Sequence, residues 1–233
     1  MGEWDAPHLS RYDDAIMPCI DLCNIACGAH AGNSSIMEST IQLAKEHNVK
    51  VGAHPGFEDR INFGRKYIKL PATELKDSLS RQIDTFLTIC HSKNCMPHHI
   101  KTHGALYHAC NENEREANLL IEVILSLCPQ VVVVLKKGSL LEKRALEKGI
   151  ATMSESFIDR RYNEDLTLMS RTKSDAVITD VVEATMQFQD LVNGRVKVQG
   201  GEYHSLRTDT ACIHGDNPNC LSILNAILQP SNV

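Results

Sequence analysis

The chain has 233 residues, of which 42% are apolar and 23% are charged. This is the composition of an ordinary globular protein, and the length suits a single α/β barrel domain. The formal net charge is -5 and no run of lysine and arginine exceeds two residues, so nucleic acids and anionic membranes are poor candidate partners.

The chain contains nine cysteines, an odd number, with no Cys-x-x-Cys pair. Cys19, Cys23 and Cys27 are spaced four apart, which could indicate a metal site, but they lie in an apolar stretch that resembles a strand. We therefore interpret the cysteines as buried thiols in a reducing compartment. No secretory leader pattern and no membrane-spanning apolar stretch is found, so we expect a cytoplasmic protein.

In the first part of the chain, predicted strands alternate with predicted helices. The residues before Asp14 are polar and predict no regular element. Strands are predicted at 18–27, 49–54, 100–102 and 131–135. The last of these is an unbroken β-branched run, typical of a strand buried on both faces. Ser35-x-x-Glu38 and Ser139-x-x-Glu142 predict helix starts, and apolar residues at helical spacing predict helices at 75–90 and 119–127.

The same alternation continues to the carboxyl end. A strand is predicted at 150–153, ending at Glu155, and a helix at 178–192. Strands at 195–198 and 208–213 follow, joined through Gly200-Gly201, and the first of them could be a hairpin arm. Pro218 marks the start of the last helix.

This order predicts a mostly parallel sheet covered by helices. We expect residues 1–233 to form one (β/α) barrel domain of about six or seven strands, closed or nearly closed. A doubly wound open sheet is the alternative. It fits less well, because polar residues follow nearly every predicted strand, whereas an open sheet concentrates them at one switch point.

Four histidines follow predicted strands at glycine-rich turns: His30, His54, His103 and His214. The carboxyl ends of parallel strands meet at one edge, so we expect one shared pocket. Neutral imidazole can ligate metals and carry protons near pH 7. Alternatively, each histidine could form a hydrogen bond with a carbonyl of its own loop.

Four carboxylates are predicted at the same edge of the sheet, as bases or as partners that orient a histidine: Asp59, Glu155, Asp159 and Asp216.

Three cationic residues could hold an anionic group of a substrate: Arg65, Lys101 and Arg160. A surface ion pair would explain Arg65 nearly as well.

Two enzyme classes are disfavoured by missing motifs. The sequence contains no Gly-x-x-x-x-Gly-Lys-Ser/Thr phosphate loop and no Gly-x-Ser-x-Gly elbow after a strand. We therefore exclude a Walker-type nucleotide site on this chain and consider a serine hydrolase improbable.

Six motifs resemble the LamB/YcsF family and span essentially the whole chain. They are Asn24-Ile-Ala-Cys-Gly-Ala-His-Ala-Gly32, Val51-Gly-Ala-His-Pro-Gly-Phe57, Phe63-Gly-Arg65, Lys101-Thr-His-Gly-Ala-Leu-Tyr107, Glu155-Ser-Phe-Ile-Asp-Arg-Arg-Tyr162 and His214-Gly-Asp-Asn-Pro218. The resemblance implies an α/β fold, a seven-stranded (β/α) barrel of the glycoside hydrolase/deacetylase type. It also implies ATP-dependent opening of the lactam 5-oxoproline to glutamate together with B and C subunits. ATP would be consumed by the complex.

With this resemblance we assign two sets of candidate site residues. The catalytic candidates are His54, Asp59, His103, Glu155 and Asp216. The substrate-binding candidates are Glu3, His30, Arg65, Lys101, Asp159, Arg160 and His214. The family pattern also leads us to expect a strand with an Asn-x-Asp stretch directly before Gly2-Glu3. This sequence does not contain it, so barrel closure and a divalent metal, with unknown ligands, stay open.

Two other functions remain open at this point. One is a metal-dependent deacetylase acting on N-acetylated sugars, with His30 and His54 as ligands and Asp216 as base. The other is a subunit that binds a ligand or partner without catalysing a reaction.

Overall fold

The structure is a computed structural model that describes residues 1–3 and 7–229. The helices of the described residues are Pro7–Ile16 (α1), Ser34–Glu46 (α2), Ala72–Ser92 (α3), Gly104–Glu112 (α4), Glu114–Leu127 (α5), Leu140–Glu147 (α6), Val181–Val192 (α7) and Cys220–Leu228 (α8). The strands are Leu22–Ala26 (β1), Lys50–His54 (β2), Pro97–Ile100 (β3), Val132–Leu135 (β4), Thr152–Phe157 (β5), Arg195–Lys197 (β6), Tyr203–Ser205 (β7) and Thr210–Cys212 (β8). The chain divides into two compact units, Met1–Met153 and Ser154–Val233.

In the first unit, β1 to β4 pair in sequence order and all pairs are parallel. The register places Ala26 beside His54. The main chain of Met1 runs along the other side of β1, because its amino group donates to the carbonyl of Asn24 (3.0 Å) and its carbonyl accepts from Ala26 N (3.1 Å). The residues that follow these segments therefore emerge at one edge of the sheet. A sequential strand order is that of a (β/α) barrel, whereas a doubly wound sheet reverses direction at a switch point.

The core of the first unit lies between this sheet and its helices. Val133, Val134 and Leu135 of β4 are all buried, which confirms the prediction of a strand covered on both faces. The apolar stripe of α3, including Leu79 and Ile83, is fully buried in the same core, as its helical spacing predicts.

The second unit contains a parallel pair and a hairpin. β5 lies parallel to β8 with Phe157 opposite Cys212, and β6 pairs antiparallel with β7. Residues 195–197 thus form a hairpin arm, as the sequence allowed, but the strand joined to them through Gly200-Gly201 is β7 and not the predicted strand at 208–213. Asp180 caps α7 by accepting from Glu183 N (2.8 Å), and a small core lies beneath that helix.

The structure departs from the predictions at several element ends. Residues 7–16 form a helix where irregular chain was predicted. Tertiary contacts stabilise it, since Asp13 accepts from Gly2 N (2.7 Å) and Ile16 is buried. The cap of α2 is Asn33, which accepts from Ile36 N (3.0 Å), so the predicted Ser35 cap is wrong. β3 begins at Pro97, earlier than predicted, and α4 was not predicted as a separate helix.

Burial controls the cysteine chemistry. Burial raises the pKa of the Cys23 and Cys27 thiols to about 12, so both are neutral thiols near pH 7. This supports the interpretation of buried thiols over a cysteine metal site. No disulfide bond is present among the described residues. Within the same residues, no helix combines the length and apolar character needed to cross a membrane.

These observations establish an α/β fold with parallel strands. The closed seven-stranded barrel and the single domain over residues 1–233 stay predictions.

Replacing Gly52 by alanine tests the packing of β2 against β3. An added Cβ would lie 2.2 Å from His99 Nε2, well inside contact distance. We expect Gly52→Ala to lower the free energy of unfolding by about 1–3 kcal/mol, because overpacking a filled interior forces side chains and backbone to move. Urea unfolding followed by circular dichroism measures this. Gly215→Ala is the matched control, since a Cβ there meets nothing within 4 Å. Equal midpoints for the two variants would contradict the packing.

Candidate functional site

A cluster of three histidines and one glutamate lies at the strand ends of the first unit. His54 is the last residue of β2, and His103 directly precedes α4. His30 follows β1, and Glu3 follows the main chain that runs beside β1. Parallel pairing therefore brings together four of the residues that sequence analysis selected.

Two backbone carbonyls fix the ring protons of His54 and His103. His54 Nδ1 lies 2.6 Å from the carbonyl oxygen of Lys101, and His103 Nε2 lies 2.8 Å from that of Phe63. A carbonyl can only accept a hydrogen bond, so each of these nitrogens carries its ring proton. His54 Nε2 and His103 Nδ1 then hold lone pairs, and these two atoms face each other at 3.1 Å.

Burial and neighbouring charges keep these rings neutral and the carboxylate ionised. Burial, with the charges of His103 and Lys101, lowers the pKa of His54 well below its usual range. Burial and His30 lower the pKa of His103 to about 3. Burial opposes ionisation of Glu3, but the positive amino terminus and His30 hold its pKa below the usual range. At neutral pH the cluster presents two lone pairs and a negative charge.

His30 packs face to face against His103. Their ring centroids are 3.7 Å apart with an interplanar angle of 5°. His30 Nε2 lies 3.5 Å from a carboxylate oxygen of Glu3, but within the described part of the chain neither ring nitrogen makes a hydrogen bond of good geometry. A Cβ on Gly64 would lie 2.9 Å from both His30 Cβ and His103 Cδ2, so the close packing of the rings needs a glycine there.

Three of these groups could hold a metal ion. One ligand atom from each of Glu3, His54 and His103 lies within 4.8 Å of the other two. Imidazole nitrogen and carboxylate oxygen are donors suited to Zn²⁺ and related ions. The deacetylase alternative predicted His30 and His54 as the metal ligands. In the structure, the group that could hold a metal contains His54 with His103 and Glu3.

The other candidates of the first unit differ in position. Lys101 is buried, with its Nζ 5.9 Å from the ring centroid of Tyr107, and its charge lowers the pKa of His54. Arg65 is exposed and lies over the Phe63 ring. Asp59 accepts from both Asn62 N and Asn62 Nδ2, so its carboxylate stabilises the turn after β2.

A second cluster lies at the strand ends of the second unit. Phe157 and Cys212 are register partners, so Asp159 and His214 each follow a paired strand by two residues. His214 Nδ1 donates to Asp159 Oδ1 (2.8 Å), and His214 N and Asn217 Nδ2 donate to Asp159 Oδ2 (both 3.2 Å). The Phe157 ring stacks on the imidazole at 5.6 Å.

This geometry is that of an oriented proton acceptor. Burial opposes ionisation of Asp159, but the charge of His214 and its hydrogen bonds lower the pKa of this carboxyl. Because Asp159 binds the Nδ1 proton, the neutral form of His214 has its lone pair on Nε2, and the side chain is 25% exposed. The arrangement can take a proton from water or from a substrate.

The remaining candidates of the second unit differ in burial and in contacts. Arg160 is buried and donates to the carbonyls of Met169 (2.6 Å) and Ala176 (3.3 Å). Glu155 is buried in β5, whereas Asp216 is exposed and lies 3.6 Å from Arg171 Nη1. The catalytic and substrate-binding roles assigned to individual residues stay predictions.

Sequence analysis missed two residues that support these clusters. His99 is buried beneath β2, with Nε2 3.0 Å from Asn24 Oδ1. The available signal was its position next to Ile100, at the entry to the third predicted strand. Asn217 connects Asp159 to the carbonyl of Ile178, and only the fold reveals this connection.

The chain matches known proteins along nearly its whole length. Residues 1–232 match the model of the LamB/YcsF family. The chain belongs to the LamB/YcsF family. Within this family it is 41% identical to the 5-oxoprolinase A subunit of Pyrococcus abyssi, over 97% of this chain and 89% of the relative. It is 38% identical to the 5-oxoprolinase A subunit of Staphylococcus aureus, over 93% and 87%.

A solved protein structure shares the fold of this chain. The crystal structure of a lactam utilization protein from Thermus thermophilus matches with a TM-score of 0.90 and 29% identity, covering 100% of this chain and 95% of that one. The LamB/YcsF motifs recognised in the sequence, from Asn24 to Pro218, thus lie in a chain whose fold is shared along its full length.

The protonation of His99 predicts how stability depends on pH. Burial, with the charges of His98 and Lys101, lowers the pKa of His99 to about 3. The unfolded chain takes up this proton below its ordinary pKa of about 6.5, and the folded chain does so only near 3. We therefore expect the contribution of neutral His99 to be complete above pH 6.5 and to be lost as the pH falls towards 3.

Urea unfolding midpoints at pH 7.5, 6.5, 5.5 and 5.0 measure this loss. This window lies above the titration of most carboxylates. His99→Gln should reduce the slope, and His54 and His103, whose pKa values are also lowered, account for the remainder. His108→Gln on the exposed face of α4 should leave the slope unchanged. A midpoint independent of pH between 7.5 and 5.0 would contradict the burial of a neutral His99.

Proposed function

We propose that this chain is the A subunit of an ATP-dependent 5-oxoprolinase, a hydrolase that opens the lactam of 5-oxoproline to L-glutamate together with B and C subunits. Membership of the LamB/YcsF family and the names of its relatives support this activity. The lactam utilization protein of the same fold supports the same substrate class. The cysteines, which form no disulfide among the described residues, suit a reducing cytoplasm.

The chemistry of a lactam explains the need for ATP and for partners. A five-membered cyclic amide is stabilised by resonance, and phosphorylation of its carbonyl oxygen turns that oxygen into a leaving group. Water then adds to the carbon, and the C–N bond breaks as the nitrogen gains a proton. The resulting acyl phosphate reacts with a second water, which releases phosphate and gives glutamate. This chain contains no Walker-type loop, so we assign ATP binding to the B and C subunits.

The observation that best supports a hydrolytic role is the bond between His214 and Asp159. A hydrogen bond from Nδ1 to a buried carboxylate fixes the ring orientation and leaves Nε2 as the proton acceptor. Such a group can take the proton of the attacking water and later give a proton to the leaving nitrogen. In our proposal His214 performs this transfer and Asp159 positions it.

Reconstitution tests the activity. The purified chain is mixed with candidate B and C subunits, and glutamate release from 5-oxoproline is measured with and without ATP. We expect release only when ATP and all the subunits are present. Equal release after this chain is omitted would overturn the proposed function.

The Asp159→Asn variant tests the proton transfer. The amide nitrogen can donate to the ring, which favours the wrong tautomer and removes the lone pair from Nε2. We expect the kcat of the reconstituted enzyme to fall about 10²–10⁴-fold, with little change in the KM for 5-oxoproline. The thermal unfolding midpoint of each variant is measured in parallel.

Asp216→Asn is the matched comparison, because Asp216 is a second carboxylate of this unit, on the same loop as His214, and it pairs with Arg171 (3.6 Å). We expect its kcat to stay close to that of the wild type. A large loss in Asp216→Asn with none in Asp159→Asn would transfer the role of base to Asp216. Wild-type rates in both variants would favour a non-catalytic binding subunit.

A metal-dependent deacetylase is the second candidate, and the donor set of Glu3, His54 and His103 favours it. Acetate release from N-acetylated sugars, without ATP and without partner subunits, would support this alternative over the lactam. The names of the relatives favour the lactam.

A further inference from the structure

We propose that Glu3, His54 and His103 bind one divalent transition-metal ion of the Zn²⁺ class. This inference concerns binding alone and does not depend on the lactam activity. It rests on the contacts of the two imidazoles, on the position of the carboxylate and on the surroundings of the cluster.

The two imidazoles face each other with lone pairs. Their protons are bound by the carbonyls of Lys101 and Phe63, so neither His54 Nε2 nor His103 Nδ1 can donate to the other across 3.1 Å. Two lone pairs at this distance in a buried site repel each other, unless a positive group lies between or beside them. A metal ion provides such a group.

The distances suit shared ligation. Zinc binds imidazole nitrogen at about 2.0–2.1 Å, so two nitrogens on one ion are separated by roughly 3.0–3.4 Å at ordinary ligand angles. The observed separation of 3.1 Å falls in this range. Glu3 supplies a negative oxygen within 4.8 Å of one ring nitrogen of each histidine, and its side chain is only 13% exposed. Three protein ligands leave a coordination position for water or a substrate.

The surroundings resemble a supported metal site. Each histidine ligand donates its other ring proton to a carbonyl, which fixes the ring and makes it a better donor. His30 is buried and stacks on the ring of His103, and its Nε2 lies 3.5 Å from a carboxylate oxygen of Glu3. Gly64 permits this close packing.

A single extra proton shared by His54 and His103 is the competing explanation. It would also remove the repulsion, and it would leave the pair with one positive charge beside Glu3. A shared proton requires no metal, so direct measurement of bound metal separates the two.

The experiment uses the full chain treated with a chelator and dialysed. Zn²⁺ is then titrated at pH 7.5 by calorimetry, and bound metal is counted by mass spectrometry. We expect one ion per chain and an increase in the thermal unfolding midpoint when Zn²⁺ is added. Failure of the wild-type chain to bind about one equivalent would overturn the proposal and leave the shared proton.

Two variants locate the ion. Glu3→Gln keeps the size of the side chain and removes its negative charge, and His54→Gln removes one imidazole. We expect each to weaken Zn²⁺ binding by at least about ten-fold and to reduce the thermal shift. His108→Gln, at an exposed position of α4, is the matched control and should bind as the wild type does.

Unchanged binding in Glu3→Gln and His54→Gln would overturn the assignment, as would an equal loss in His108→Gln. If His54→Gln does not fold, Glu3→Gln still decides the outcome. Loss of 5-oxoproline cleavage in the reconstituted enzyme would not affect this result, because the titration needs no substrate or partner.

Discussion

Parallel pairing in register is the constraint on which both clusters depend. In the first unit, Ala26 lies beside His54 and β3 continues the same direction. In the second unit, the pairing of Phe157 with Cys212 places Asp159 beside His214. Residues far apart in sequence therefore meet, because each follows the end of a strand and these strand ends are neighbours in the sheet. A shift of one residue in either register would turn these side chains to the opposite face.

The carbonyl groups around the first cluster give its histidines a defined chemistry. An imidazole alone could present either nitrogen, and its role would be undetermined. Here the carbonyls of Lys101 and Phe63 select one tautomer for each ring. Burial lowers the pKa of both His54 and His103, so the rings stay neutral and keep their lone pairs. The same burial makes an unsatisfied lone pair costly, which is why the site favours a cation.

Glycines allow the close approach that these clusters need. A Cβ on Gly52 would overlap the His99 ring, and a Cβ on Gly64 would lie 2.9 Å from both His30 and His103. Gly64 and Gly104 also have positive φ angles, and Ala105 N donates to the Gly64 carbonyl where the two loops meet. The loops after β2 and β3 therefore approach each other through backbone, which leaves the histidine rings in contact.

The sequence by itself determined the alternation of strands and helices, the β-branched core strand at 131–135, the long helix of residues 72–92 and the histidines that follow strands. These features are local, because side-chain periodicity and turn residues decide them within a few positions.

Only the tertiary structure decided which groups meet. The helix at 7–16 depends on packing of Ile16 and on the bond between Asp13 and Gly2. The burial of His99, the tautomers of His54 and His103, and the partnership of Asp159 with His214 depend on contacts between distant segments. Composition and spacing identify residues able to do chemistry, but the lone pair or proton that each presents is fixed by a neighbour that the fold supplies.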